Sequence, residues 1–190
     1  MSSQTKTRLT PEEYLAVERK AETKSEYFDG VMFAMVGASR EHNLISTNIA
    51  GELRQQLKAR PCETYVNDMR VRIPATGLYT YPDVVVVCGE PVFEDEYVDT
   101  LLNPTLIVEV LSESTESYDR GKKFAHYRSV ESIVEYLLVA QDEYRVEQFV
   151  RQTDGRWMLS DVRALEASVE LTSLQCALKL REIYDRISLP

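Results

Sequence analysis

Short apolar runs of strand length constrain this 190-residue chain more than any other feature. The longest are Val84–Cys88 and Tyr136–Ala140, and a third run, Leu106–Leu111, is interrupted only by Glu109. None approaches the ~20 apolar residues that span a bilayer. Strands that are apolar on both faces are typical of sheets covered on both sides. The sequence therefore predicts buried central strands, with helices over both faces, and no membrane partner.

Helix and turn signals surround these strands in an order that indicates a mixed fold. Capping residues and apolar periodicity predict helices over residues 11–21, 40–59 and 118–130, and a short terminal helix over 180–187. Asp29-Gly30 lies between two apolar runs and predicts a hairpin, because its tight turn needs positive φ. We expect one α/β domain of mixed α+β type over residues 1–190, with a mixed central sheet flanked by helices and a flexible segment 1–8.

Charge and cysteine content restrict the protein class further. The chain has 31 acidic residues against 22 lysines and arginines, a net charge of −9, which argues against a protein that coats nucleic acid with a broad basic surface. It does not exclude an enzyme with one local basic patch and a metal ion. The N-terminus lacks the apolar stretch of a signal peptide, so we expect a cytoplasmic protein. Cys62, Cys88 and Cys176 are odd in number and far apart, which predicts buried free thiols.

Two carboxylates occupy positions where a charge is costly. Asp83 begins the valine run, and Glu109 lies inside the next apolar strand. A buried charge must be offset by a cation, a metal ion or a raised pKa. If the two strands were parallel neighbours, both side chains would meet at one site, where oxygen ligands suit Mg²⁺ or Mn²⁺. The alternative is a carboxylate neutralised by an arginine or by a backbone amide.

The most basic short segment follows the Glu109 strand. Tyr118–Arg128 contains four cations, and Lys123 and Tyr127 are four residues apart, so they share a helix face. That face could carry an ammonium to the carboxylates; the alternative is a solvated helix surface, above all for Lys122. His42, near the start of the long helix, could act as a general base or make a local hydrogen bond.

These residues resemble the Uma family of restriction-endonuclease-like proteins, within the PD-(D/E)xK nuclease superfamily. The resemblance lies in Tyr81–Val87, Leu106–Ser112 and the Asp119-xxx-Lys123-xxx-Tyr127 spacing. The hairpin at 25–30 and the Glu-His-Asn sequence at 41–43 also match, and the similarity extends from residue 10 to about residue 184.

The resemblance implies a restriction-endonuclease-like core and phosphodiesterase chemistry with Mg²⁺ or Mn²⁺. Asp83, Glu109 and Lys123 match the family's catalytic positions, and Asp83, Glu109 and Glu26 match its metal-binding positions. The alternative interpretation of Glu26 is a hairpin residue that is exposed to water. The chain departs from the superfamily pattern at Leu111, where a lysine is usual, so the lysine is expected from the following helix, at Lys123. The expected accessory residues are His42, Asp119 and Tyr127, and the expected nucleic-acid contacts are Arg120, Lys122 and Arg128.

Three hypotheses follow. The first is a metal-dependent endonuclease that hydrolyses DNA and works as a homodimer, since two cuts on a duplex need two sites. The second is a nuclease-fold binding module without catalysis, in which Glu109 pairs directly with Lys123. The third is an adaptor that works through the acidic loop at residues 90–99.

Overall fold

The computed structural model describes residues 8–189, so most of the segment expected to be flexible lies outside the described part. The strands are β1 Ser25–Phe28, β2 Val31–Ala34, β3 Cys62–Val66, β4 Arg70–Ile73, β5 Leu78–Thr80, β6 Val84–Cys88, β7 Thr100–Leu101, β8 Leu106–Val110, β9 Glu135–Val139, β10 Val146–Arg151, β11 Trp157–Val162, β12 Ser168–Leu171 and β13 Cys176–Lys179. The α-helices are α1 Pro11–Glu18, α2 Arg40–Leu57, α3 Glu116–Tyr118, α4 Phe124–Tyr127 and α5 Leu180–Ile183. Within this part of the chain, no helix has the length and apolar character needed to cross a bilayer.

The central sheet is mixed, which confirms the predicted fold class. It has six strands in the order β11-β10-β9-β8-β6-β3; β8 and β9 run parallel, and the other neighbours are antiparallel. Helix α2 covers one face with its apolar side. The buried residues of α2 in this core are Ile45, Ile49, Leu53 and Leu57, and they share it with Val84, Val86, Leu106 and Val108.

The other face of the central sheet is covered by α4 and the turn after it, as expected, and also by a second sheet that was not expected. This sheet has the order β2-β1-β5-β4-β7. Val85, Val87 and Ile107 pack in this second core with Val71 and Ile73. The residues of β6 therefore alternate between two apolar cores, which explains its uninterrupted valines.

The third predicted helix is broken. In place of one helix over 118–130, the chain forms α3, a π-helical turn over Asp119–Lys123, and α4. Both terminal residues of the turn, Asp119 and Lys123, are buried. Wide helical turns of this kind are common at functional sites. The apolar and charged pattern could not reveal the break, since it fits either helical period over so few residues.

The prediction of free thiols is wrong for two of the three cysteines. Cys62 on β3 and Cys88 on β6 face each other in the antiparallel register and form a disulfide. Cys176 is a free, partly buried thiol. Their spacing of 26 residues along the chain carried no information about this pairing, which depends on the strand register.

The acidic loop at residues 90–99 is bound to the rest of the protein. Arg19 binds both Asp95 and Asp99, and Arg72 binds Glu94. These carboxylates therefore neutralise cations of the same chain, and among the acidic residues of the loop only Glu90 and Glu96 are exposed. This arrangement removes support for an adaptor that works through the loop.

The predicted hairpin at Asp29-Gly30 yields a matched test of packing. Gly30 and Gly155 have φ of +79° and +82°, but only at Gly30 would an added Cβ collide, at 2.6 Å from Arg8 Cβ. Gly155→Ala should reduce the free energy of unfolding by about 1–2 kcal/mol, the usual penalty of a left-handed backbone. Gly30→Ala should lose at least about 1 kcal/mol more through overpacking. Urea unfolding measures both; equal losses would contradict the contact with Arg8.

Candidate active site

Antiparallel pairing brings Asp83 and Glu109 together. Val84 pairs with Val108 in the register of β6 and β8, so the residue before Val84 lies opposite the residue after Val108. The expectation of parallel strands was wrong on this point. Asp83 precedes β6 while Glu109 is near the end of β8, and only antiparallel strands bring a start beside an end.

Glu109 is held by two donors on a single oxygen. Its side chain is buried, and Oε1 accepts a hydrogen bond from the Tyr127 hydroxyl at 2.7 Å and lies 2.9 Å from the Lys123 ammonium. Burial raises the pKa of Glu109 to about 8, although the Lys123 charge acts in the opposite direction. The carboxyl group is thus poised to take up or lose a proton near neutral pH.

Asp83 is held in the same manner. Its Oδ2 accepts the backbone N–H of Val110 at 2.7 Å and lies 3.3 Å from His42 Nε2. In both carboxylates the contacts converge on one oxygen, so the other oxygen takes no part in them. Donors that fix one oxygen of a carboxylate orient the second one, as the outer-shell partners of metal ligands do.

Lys123 lies at the centre of the acidic cluster. Besides Glu109, its Nζ contacts Glu26 at 3.3 Å and Asp119 at 3.6 Å. Glu26 comes from β1 in the second sheet and also binds the hydroxyl of Thr80. Burial disfavours the charged ammonium, but the surrounding carboxylates outweigh it and hold the pKa of Lys123 well above its ordinary value. Lys123 is therefore a fixed cation and not a proton acceptor.

His42 makes the local hydrogen bond considered from the sequence and, in addition, a contact with Asp83 that was not anticipated. Its backbone N–H donates to the capping Ser39 hydroxyl at 3.0 Å, while its ring reaches Asp83. Burial lowers the pKa of the ring, but the hydrogen bond and charge of Asp83 are stronger together, so the pKa lies above its ordinary value. At neutral pH the ring of such a histidine is protonated in a larger fraction of molecules than that of a histidine in water.

The cluster opens into a cleft of about 1260 Å³. Glu26, His42, Asp83, Glu109 and Lys123 all line it. Among residues 8–189, no group of three or more His, Cys, Asp or Glu side chains is arranged to hold a metal ion by itself. The cleft thus presents a small number of carboxylate ligands and leaves room for others.

The expected nucleic-acid contacts lie elsewhere. Arg120 is paired with Glu116 and Glu147, and Arg128 lies over the Phe124 ring. Lys122 is exposed. These three cations are not among the residues that line the cleft, and their role in DNA binding stays a prediction.

One supporting group was not anticipated from the sequence. The buried Tyr81, two residues before Asp83, donates its hydroxyl to Glu18 at 2.9 Å and accepts from Arg70 at 2.9 Å. Glu18 in turn accepts the backbone N–H of Ser25, beside Glu26. This network links α1 and both sheets behind the acidic cluster. No local pattern could have indicated it, because its members lie far apart in sequence.

The two histidines of the chain yield a direct test of the electrostatics. Burial lowers the pKa of His126, whereas Asp83 raises that of His42, so NMR titration of the ring protons should give one value on each side of the ordinary one. Asp83→Asn should lower the pKa of His42, because the largest contributions that raise it are removed while burial remains, and should leave the pKa of His126 unchanged. Identical titrations in the wild type, or no shift of His42 in the variant, would show that the contact is absent.

Comparison with known proteins identifies the family and the fold of the chain. A family model described as "Putative restriction endonuclease" matches residues 11–181. Two uncharacterised proteins of Synechocystis are similar: sll1609 is 38% identical over 88% of this chain and 94% of its own, and slr1290 is 36% identical over 93% and 92%. A crystal structure from Anabaena variabilis, titled a putative nuclease belonging to DUF820, has the same fold, with a TM-score of 0.78 and 18% identity over 95% of this chain and 99% of that one. The chain belongs to the Uma2 family of restriction-endonuclease-like nucleases.

Proposed function

We propose that this protein is a metal-dependent endonuclease that hydrolyses phosphodiester bonds of DNA at the cluster of Asp83, Glu109 and Lys123. The observation that supports this most is the meeting of two carboxylates, each fixed through one oxygen, beside a lysine in an open cleft. The cytoplasmic location and the homodimer expected from the sequence stay predictions.

The donor set fits Mg²⁺ or Mn²⁺. Hard divalent cations take carboxylate oxygens, and Mg²⁺ is usually bound by one or two carboxylates with water and substrate phosphate as the remaining ligands. Asp83 and Glu109 would be those carboxylates, and Glu26 would contribute a third after turning away from Lys123. When bound, the ion supplies a water molecule of lowered pKa and stabilises negative charge on the phosphate.

The protein's own residues would divide the remaining work. Lys123, a fixed cation, would stabilise the negative charge that develops on the scissile phosphate and orient the attacking water. Tyr127 and the Val110 N–H would keep the two carboxylates in position. His42 would hold Asp83 and, with its raised pKa, donate a proton towards the leaving oxygen.

One observation favours the binding module as a second candidate. Glu109 and Lys123 are in direct contact at 2.9 Å, as expected of a scaffold that has lost catalysis. An ion pair of this kind would hold the site together without a metal. The two candidates differ in metal binding, because a catalyst must bind an ion at the carboxylate oxygens that Lys123 and the backbone leave free.

Cleavage in Mg²⁺ or Mn²⁺ of DNA supplied both as a duplex plasmid and as a single-stranded circle tests the proposal. Asp83→Asn and Glu109→Gln should each lower the rate at least about 100-fold, since each removes a charged metal ligand while preserving shape. The control Glu131→Gln alters an exposed turn outside the cleft and should cut at the wild-type rate. Equal cutting by all four proteins would remove the proposed site.

Metal affinity should rise with pH. Below the pKa of about 8 Glu109 carries a proton in the metal-free protein, and an ion must displace it. The apparent affinity for Mn²⁺ should therefore increase by up to about tenfold per pH unit from pH 6.5 and level off near pH 8.5. Titration calorimetry measures this. In Glu109→Gln the Mn²⁺ affinity should retain only the weaker pH dependence that is due to His42. A wild-type affinity that does not change with pH would contradict the raised pKa of Glu109.

A further inference from the structure

One wall of the cleft is apolar and exposed. Phe33 and Val36 line the cleft, and 52% and 82% of their surfaces are accessible. In the β1–β2 register Phe33 pairs with Glu26, so its ring lies on the same face as the carboxylate that contacts Lys123. Met35 lines the same wall towards Ser39 and the His42 helix. Exposed apolar side chains are thus continuous with the acidic cluster.

The charges of the cleft do not suit a DNA duplex. Among the described residues that line it, seven are acidic and two are lysines. Lys123 is buried among carboxylates, and Lys24 is paired with Asp68 at 2.7 Å. A duplex carries one phosphate per about 1.7 Å of axis, twice the density of a single strand. An acidic cleft therefore repels a duplex more strongly than it repels one strand.

We infer that the cleft takes single-stranded DNA, with unpaired bases lying against Phe33 and Val36. This inference rests on the proposed function and specifies its substrate. Stacking of a base on an aromatic ring such as that of Phe33 is worth about 1–3 kcal/mol in proteins that bind single strands, and it requires a base released from its partner. An apolar wall beside the scissile phosphate can supply this attraction where basic residues are lacking.

Fluorescence anisotropy with a labelled oligonucleotide tests the inference, with Ca²⁺ in place of Mg²⁺ so that the carboxylates are neutralised. The single strand should bind at least about tenfold more tightly than a duplex of the same sequence. The double variant Phe33→Ser/Val36→Ser should lose about tenfold or more in single-strand affinity. The control Met158→Ser/Leu159→Ser changes residues that are 52% and 53% exposed on β11, away from the cleft, and should bind as the wild type does.

Each result of these experiments either supports the inference or overturns it. Equal or tighter binding of the duplex, or equal loss in both double variants, would overturn the inference. It would also be overturned if sedimentation showed the wild type to be a dimer that Phe33→Ser/Val36→Ser dissociates, because the wall would then bind a second copy. A parallel cleavage assay in Mn²⁺ separates the two proposals. Faster cutting of the duplex would support the proposed nuclease activity and reject the inference of a single-stranded substrate. Tight single-strand binding without cutting would support the single-strand inference and reject the proposed nuclease activity.

Discussion

The contact between Lys123 and three carboxylates, two of them buried and one partly exposed, is the interaction on which the site depends. Without the ammonium, Glu26, Glu109 and Asp119 would face one another in a low dielectric, and each would have to be protonated or exposed. Removing one partner of such a buried pair usually costs about 3–5 kcal/mol, because the other charge is left unpaired. The cation is thus a structural requirement of the metal-free fold as well as a candidate catalyst.

The two sheets place this contact where chemistry can use it. Glu109 belongs to the central sheet and Glu26 to the second one, so the acidic cluster lies at the junction of two layers. The cores on either side of β6 and β8 are apolar and fix both strands. Rigid strands of this kind hold side chains more precisely than loops do.

Sequence patterns predicted the parts of the fold that local chemistry determines. The cap at Thr10, the turn at Asp29-Gly30 and the apolar strands follow from side-chain preferences within a few residues, and the structure contains all of them. These local patterns could not predict which residues touch across the sheets. The disulfide of Cys62, the antiparallel sense of β6 and β8, and the Tyr81 network depend on strand order, which no local pattern encodes. For the site, composition and spacing indicated which charged residues matter, and register determined how they meet.

The π-helical turn makes the position of the Lys123 charge depend on how many residues the turn contains. A regular α-helix advances by 3.6 residues per turn, about 100° per residue, whereas the wide turn accommodates one residue more. Rewinding the same five residues as a regular α-helix would turn the end of the segment by about that angle and rotate Lys123 away from Glu109. The cluster could therefore be dismantled while all of its charged residues were kept, so the spacing of this segment specifies the site as strictly as the identities of its side chains do.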